Sequence, residues 1–338
     1  MQAIKRLYFI SFIFIFFLLI SSQAYAKSKL RLKFATLAPK TVGWALKIQN
    51  IFIPAFKEAT DNKISIKWYW GGIKGDDIDY IKLMKKGELD GAAYAGNGVM
   101  QICPEMSALS LPFLFNNYEE VDYVRTQMSD RFKKILKSRN FRLLFWADQD
   151  FDQIYSSSKI IKSLEDFKEI TFVGGYNNPI EKYLVQKLKA KLIPVRSLNS
   201  SSIIRQKKAN AYIGPALWVI GRQLYTSFRY VTPINIRYSP AALIMTQKSW
   251  KKIPSKYHKK ISNVLFENGM IFCKQNRIDT QRALLAMKKY GLKVMNIEPE
   301  EKKALEKKCK SVWAETNGKV YPKKILNEIK NHLKKFRN

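Results

Sequence analysis

The chain has 338 residues, with 60 Lys and Arg against 27 Asp and Glu and a formal net charge of +33. Its length predicts about two domains at roughly 100–200 residues each, and an apolar content of 46% excludes a disordered or fibrous chain. Two His, His258 and His332, both in Lys-rich helical contexts, exclude His-based triads and His metal sites.

The first predicted element is a secretory signal peptide. Lys5 and Arg6 precede residues 7–20, which are apolar apart from Ser11, and Ala24-Tyr25-Ala26 supplies a small-residue cleavage site. The apolar run is shorter than the roughly 20 residues a spanning helix needs, and no later stretch is long and apolar enough to span. With no Cys near the cleavage site, a lipid anchor is not expected. The mature chain is therefore expected to lie outside the cytoplasm, released near Ala26.

Residues 30–36 alternate, with Leu30, Leu32 and Phe34 on one face and Arg31 and Lys33 on the other, which predicts a strand. A helix follows at 43–60. A second strand carries Ile64, Ile66, Trp68 and Trp70, an amphipathic helix runs over 76–86, and a short strand covers 92–95. This β-α-β-α-β order predicts a mainly parallel sheet with helices on its faces. Next come a helix at 118–137 and an apolar strand at 141–147. A second series places strands at 170–173, 191–195 and 211–213, with helices at 179–189, 199–208 and 215–226. An apolar strand is expected at 241–246, a long helical stretch at 250–289 and a strand at 292–297. Pro299 opens a further helix, which Gly318 closes, and a short basic helix ends the chain.

The organisation is α/β, with two lobes and a cleft between them. Residues 1–26 form the signal peptide, 27–147 lobe I with a later contribution near 240–250, and 148–239 lobe II. Residues 249–290 form a long helix spanning both lobes, and 291–338 pack on them.

Several chemistries are missing. Gly71-Gly72-Ile73-Lys74-Gly75 has no Lys-Ser/Thr after its last glycine and reads as a turn, not a phosphate loop. Asp148, Asp150 and Asp152 alternate after a strand but lack the Gly and terminal Glu of a calcium loop. Cys103, Cys273 and Cys309 match no zinc or redox spacing, and their odd count leaves at least one thiol free. Enzyme, metal and cofactor are not expected. The Lys residues sit mostly singly or in pairs, as at Lys133 and Lys134, and read as solvated surface without a nucleic-acid motif.

In open α/β sheets ligands bind beyond the C-terminal ends of strands. That rule places Thr36, Trp70, Tyr94 and Asn97 at a candidate cleft. Phe151, Tyr176, Asn177, Asn178, Trp218 and Tyr238 join them at or just beyond other strand ends. Aromatic and amide groups of this kind suit a small organic ligand.

Motifs along the chain resemble the extracytoplasmic solute receptors of TRAP transporters, the DctP-like family. Phe34-Ala35-Thr36-Leu37-Ala38-Pro39 is similar to the family's first strand and turn, and Trp70-Gly71-Gly72 to its second. Gly87-Glu88-Leu89-Asp90-Gly91-Ala92 resembles its G-x-L-D-G-A segment. Leu111-Pro112-Phe113-Leu114-Phe115 with Tyr118-Glu119-Glu120-Val121 is the most specific match, and Ser163-Leu164-Glu165-Asp166-Phe167-Lys168 resembles S-L-E-D-L-K. The resemblance implies a bilobal periplasmic-binding-protein fold and a monomer that captures a small organic solute for membrane permease subunits. It also implies that Val173 and Gly214 stand where many relatives carry an Arg that grips a carboxylate and an Asn that supports it. An apolar residue cannot form that fork. The expected solute is more apolar, or an acid held by Arg196, Arg222 or Arg237. A receptor for another transporter or sensor, or a cationic envelope protein binding anionic polymers, are the competing readings.

Overall fold

The computed structural model describes residues 30–338, so the expected signal peptide at 1–26 lies outside the described residues. The first lobe opens with β1 (Leu30–Thr36) and α1, which runs through Trp44–Lys47, a π-helical turn Ile48–Phe52 and Ile53–Ala59. It continues with β2 (Ile64–Tyr69), α2 (Asp77–Lys86), β3 (Gly91–Tyr94), α3 (Gly96–Ile102) and α4 (Tyr118–Ser138). β1 buries Leu32 and Phe34 and exposes Arg31 and Lys33, as its alternation predicts. The side chains of Asp76 and Asp79 close a capping box that starts α2, and Gly87 ends it in the left-handed conformation.

A long strand, β4 (Phe141–Ser156), leaves this lobe and enters the second. There lie β5 (Thr171–Gly175), α5 (Pro179–Lys187), β6 (Lys191–Val195), α6 (Ser200–Arg205), β7 (Ala211–Gly214) and α7 (Ala216–Gly221). β8 (Tyr230–Thr246) carries the chain back. Then follow α8 (Gln247–Lys252), α9 (His258–Lys289), β9 (Lys293–Val294), α10 (Pro299–Lys310), α11 (Val312–Thr316) and α12 (Lys323–Arg337).

One sheet runs through the molecule in the order β2-β1-β3-β8-β4-β7-β5-β6, with β9 on β8. The flanks are parallel as expected, but the centre is not: β3 with β8, β8 with β4, and β4 with β7 are all antiparallel. The strands predicted at 141–147 and 241–246 are each only half of the observed element. The other halves carry buried polar residues, Asp148, Asp152 and Gln153 on β4 and Thr232, Arg237 and Ser239 on β8. Their pairing with partners far along the chain, not apolar alternation, makes them strand. Register shifts interrupt the β4–β8 ladder between Leu143 and Phe145, Asp148 and Asp150, and Asp152 and Ile154. The third is stitched by Gln153, whose Nε2 donates to Asn235 Oδ1 at 2.7 Å and whose Oε1 accepts from Asn235 N at 3.0 Å.

The predicted long helix is divided at Ile253 and Pro254, and its main part, α9, spans roughly 48 Å at 1.5 Å per residue. It is tied to the first lobe by Lys47 Nζ to Asp279 at 2.6 Å and packs on α7 of the second. At its middle, Asp148 gathers Arg125 Nη1 at 2.5 Å, Arg277 Nε at 2.7 Å and the Tyr238 hydroxyl at 2.7 Å. Burial alone would raise the Asp148 pKa, yet the two guanidinium groups hold it below the ordinary value. The strand expected at 292–297 shrinks to Lys293–Val294, and the helix opened by Pro299 breaks at Ser311. Cys103, Cys273 and Cys309 are buried free thiols, and burial pushes Cys273 and Cys309 up to about 12.

Candidate functional site

The C-terminal ends of β1 and β3 in the first lobe face those of β5 and β7 in the second across a narrow cleft floored by β4 and β8. Four contacts close it. Asn97 Nδ2 on α3 donates to the Tyr176 carbonyl at 3.2 Å, and Gln101 Nε2 donates to the Asn177 carbonyl at 2.6 Å. Arg196 Nη2 reaches Asp79 Oδ2 at 2.6 Å, and Arg222 Nη2 reaches the Leu37 carbonyl at 3.1 Å. Asn177, in the corner between β5 and α5, sits at φ 58°, a left-handed conformation that asparagine tolerates.

Inside lies a polar cavity of about 80 Å³, bordered by a more apolar one of about 120 Å³. Leu37, Ala95, Gln149 and Trp218 line both, so Trp218 stands at the passage between them. The apolar compartment is walled by Pro39, Val42, Trp44 and Leu217, with the Arg222 guanidinium 4.7 Å from the Trp218 ring centre.

The polar compartment is built around Arg237 of β8, which is 6% exposed. Its Nε donates to Asp152 Oδ2 at 2.6 Å and its Nη2 to Glu181 Oε1 at 3.1 Å, while buried Nη1 has no partner. Asp152 also accepts from Ser239 Oγ at 2.8 Å. Glu181 is placed by the start of α5, where Asn178 Oδ1 accepts from its N–H, and Glu181 Oε2 accepts from Gly175 N at 2.7 Å. Asp77, at the start of α2, is 3% exposed and its Oδ1 has no partner. Burial, then the charge of Asp76, raises Asp77 well above the ordinary carboxyl range. Burial also raises Asp152 and Glu181, outweighing the pull of Arg237. The same two acids hold Arg237 above its ordinary value although burial opposes it.

Of the residues singled out in the sequence, Asn97, Val173, Asn178, Gly214 and Trp218 line the polar compartment, and Thr36 lines the apolar one. Tyr176 and Asn177 contribute carbonyls to the closing contacts, and the Tyr176 ring is half exposed. Trp70 stacks on Trp68 at 5.2 Å beside the α1 core instead of lining the cleft. Phe151 and Tyr238 also lie elsewhere: they face each other at 5.8 Å in the core. The register explains this. Phe151 pairs with Tyr238 on one face of the β4–β8 ladder, so the next pair, Asp152 with Arg237, points to the other face and into the cleft. A Cβ at Gly214 would lie 2.3 Å from the Tyr212 ring, so any side chain there would require that ring to move. Asp77, Asp152, Glu181 and Ser239 escaped the site prediction. The run Asp148, Asp150, Asp152 was a visible signal, but its acids are divided between separate partners, Asp148 with Arg125 and Arg277 and Asp152 with Arg237.

Two α/β lobes sharing crossover strands, with buried polar atoms converging on a cleft, define a bilobal solute receptor. The sequence profile of DctP, "Bacterial extracellular solute-binding protein, family 7", matches residues 34–319, and the chain belongs to that family. A "Solute-binding protein" of Chromohalobacter salexigens is 21% identical over 279 residues, 78% of this chain and 77% of that one. The sugar acid binding protein of Advenella mimigardefordensis, solved with galactonate, has a TM-score of 0.83 at 18% identity, over 90% of this chain and 98% of that one. A TRAP periplasmic solute-binding protein of Sulfurospirillum deleyianum, solved with succinate, gives 0.82 at 18% identity, over 90% and 99%. Among the described residues no helix is long and apolar enough to cross a membrane.

Proposed function

We propose that this chain is the exported solute-binding subunit of a TRAP-type transporter, released by cleavage near Ala26, acting as a monomer without catalysis. It captures a small organic solute between the lobes and delivers it to the membrane permease. The observation that carries this reading is the closed cleft, in which Asp77, Asn97 and Arg237 keep buried polar atoms without partners. Such atoms cost free energy unless a ligand satisfies them. The lobe boundaries follow 27–147 and 148–239, with residues near 240–250 returning to lobe I and 249–290 spanning both. The bulged ladder near Asp148 and Asp152 serves as the hinge.

The binding of succinate and galactonate by relatives does not carry over simply. Val173 and Gly214 occupy the positions from which an Arg and an Asn would grip a carboxylate, which assigns the chain to a subgroup without that grip. Of the substitute cations, Arg196 is 44% exposed and paired with Asp79, and Arg237 is held by two acids. Arg222 borders the apolar compartment and not the polar one.

Thermal unfolding of the mature protein against a panel of acids, amines, amino acids, sugars and apolar compounds tests the receptor reading. A ligand at about 100 times its Kd adds about 2.7 kcal/mol. One chemical class raising the midpoint supports the reading. No shift from any class, with no solute found by native mass spectrometry, rejects it and favours salt-dependent binding of anionic polymers.

A further inference from the structure

We infer that the polar end of the cleft receives an ammonium group, so that the solute is a small amine with an apolar remainder. This rests on the receptor reading and deepens it. Three carboxyl groups, from Asp77, Asp152 and Glu181, converge on one small cavity with a single guanidinium, that of Arg237. Arg237 spends two of its donor positions on Asp152 and Glu181. Its charge is therefore already answered, and a carboxylate entering this end would add a negative charge beside Asp77 with no guanidinium of the same compartment free to balance it; Arg222, whose Nε is buried without a partner, lines the neighbouring apolar compartment instead. In a buried site of low dielectric such a charge is repelled strongly.

The unpartnered atoms point the same way. Asp77 Oδ1 and Asn97 Oδ1 are buried acceptors without donors, and both side chains line the cavity. An ammonium carries three donors and no acceptor, the complement of this set. The remaining unpartnered atom, Arg237 Nη1, is a donor and suits a hydroxyl or carbonyl oxygen next to the amine. Val173 on the cavity wall supplies no charge, and the Tyr212 ring fills the space beside Gly214. Beyond Trp218, the compartment walled by Pro39, Trp44 and Leu217 takes the apolar part of the molecule.

The test is isothermal titration of the mature protein with matched probes: butylamine, butanol and butyrate, and 2-phenylethylamine, 2-phenylethanol and phenylacetate. Native mass spectrometry of the purified protein accompanies it. The expected result is that an amine binds at least tenfold more tightly than its matched carboxylate, about 1.4 kcal/mol. In Asp77→Asn this preference should fall while circular dichroism stays unchanged. Equal or tighter binding of the carboxylate overturns the inference and leaves the receptor reading standing. So does a co-purified solute with a carboxylate and no basic nitrogen. If neither probe series binds, the co-purified solute decides by the same criterion. No solute of any class in either measurement overturns both.

Discussion

Asp150 offers the sharpest test of the electrostatics along β4. Its side chain is buried, its backbone has φ 137°, and burial pushes its pKa from 3.8 up to about 7 despite hydrogen bonds from Tyr118 and the Phe151 N–H. The charge of Asp148 pushes it the same way. Tyr118 donates to Oδ1, while Oδ2 is buried without a partner. A carboxyl whose pKa is higher in the folded than in the unfolded chain favours unfolding once the unfolded chain ionises. Stability should therefore fall as pH rises from about 4 to about 7 and level off above that. The full difference between 3.8 and about 7 corresponds to roughly 4 kcal/mol. Asp150→Asn keeps the Oδ1 acceptor and replaces the unpartnered oxygen with a neutral amide nitrogen of similar size. We expect it to gain about 2–4 kcal/mol over the native chain at pH 8 and little at pH 4. Urea unfolding of both proteins across this range measures the difference. Because Asp77, Asp152 and Glu181 titrate with the same sign, the comparison between the two proteins is the diagnostic quantity. A gap independent of pH, or a less stable variant at pH 8, would refute the reasoning.

Two further outcomes are expected. Asp148→Asn removes the carboxylate shared by Arg125 and Arg277 and should cost about 3–5 kcal/mol in denaturant unfolding; a loss below 1 kcal/mol would mean the network contributes little. Asn97→Ala combined with Gln101→Ala removes two hydrogen bonds across the cleft, each worth about 0.5–1.5 kcal/mol, and should weaken solute binding about tenfold while enlarging the unliganded radius of gyration. X-ray scattering identical to that of the native chain would assign closure to other contacts.

Much of the architecture is visible in one-dimensional patterns. The alternation of Leu32 and Phe34 with Arg31 and Lys33 marks β1, and the acid-capped start of α2 and its closing Gly87 bound that helix. What the patterns hide is pairing at long range. Residues 148–156 look like a polar loop because their acids balance arginines 23, 85 and 129 positions away. The side to which Phe151 and Tyr238 turn depends on bulges that shift the β4–β8 ladder, and no local signal sets them. Trp70 sits at a strand end as predicted, but Trp68 offers its ring a closer neighbour. The close approach of the Tyr212 ring to Gly214, where a Cβ would lie 2.3 Å from it, likewise exists only in three dimensions.

The return of β8 to the first lobe has a consequence for the order in which the molecule assembles. β3 finds its outer partner only in Ala242–Met245, about 150 residues later in the chain, and β4 finds its partner in the same late strand. A nascent chain that has released only its first half therefore holds exposed strand edges and cannot complete either lobe. Such distant pairings fold slowly. A chain that stays incomplete until nearly three-quarters of it has emerged remains threadable, the state in which an exported polypeptide must reach its translocation channel.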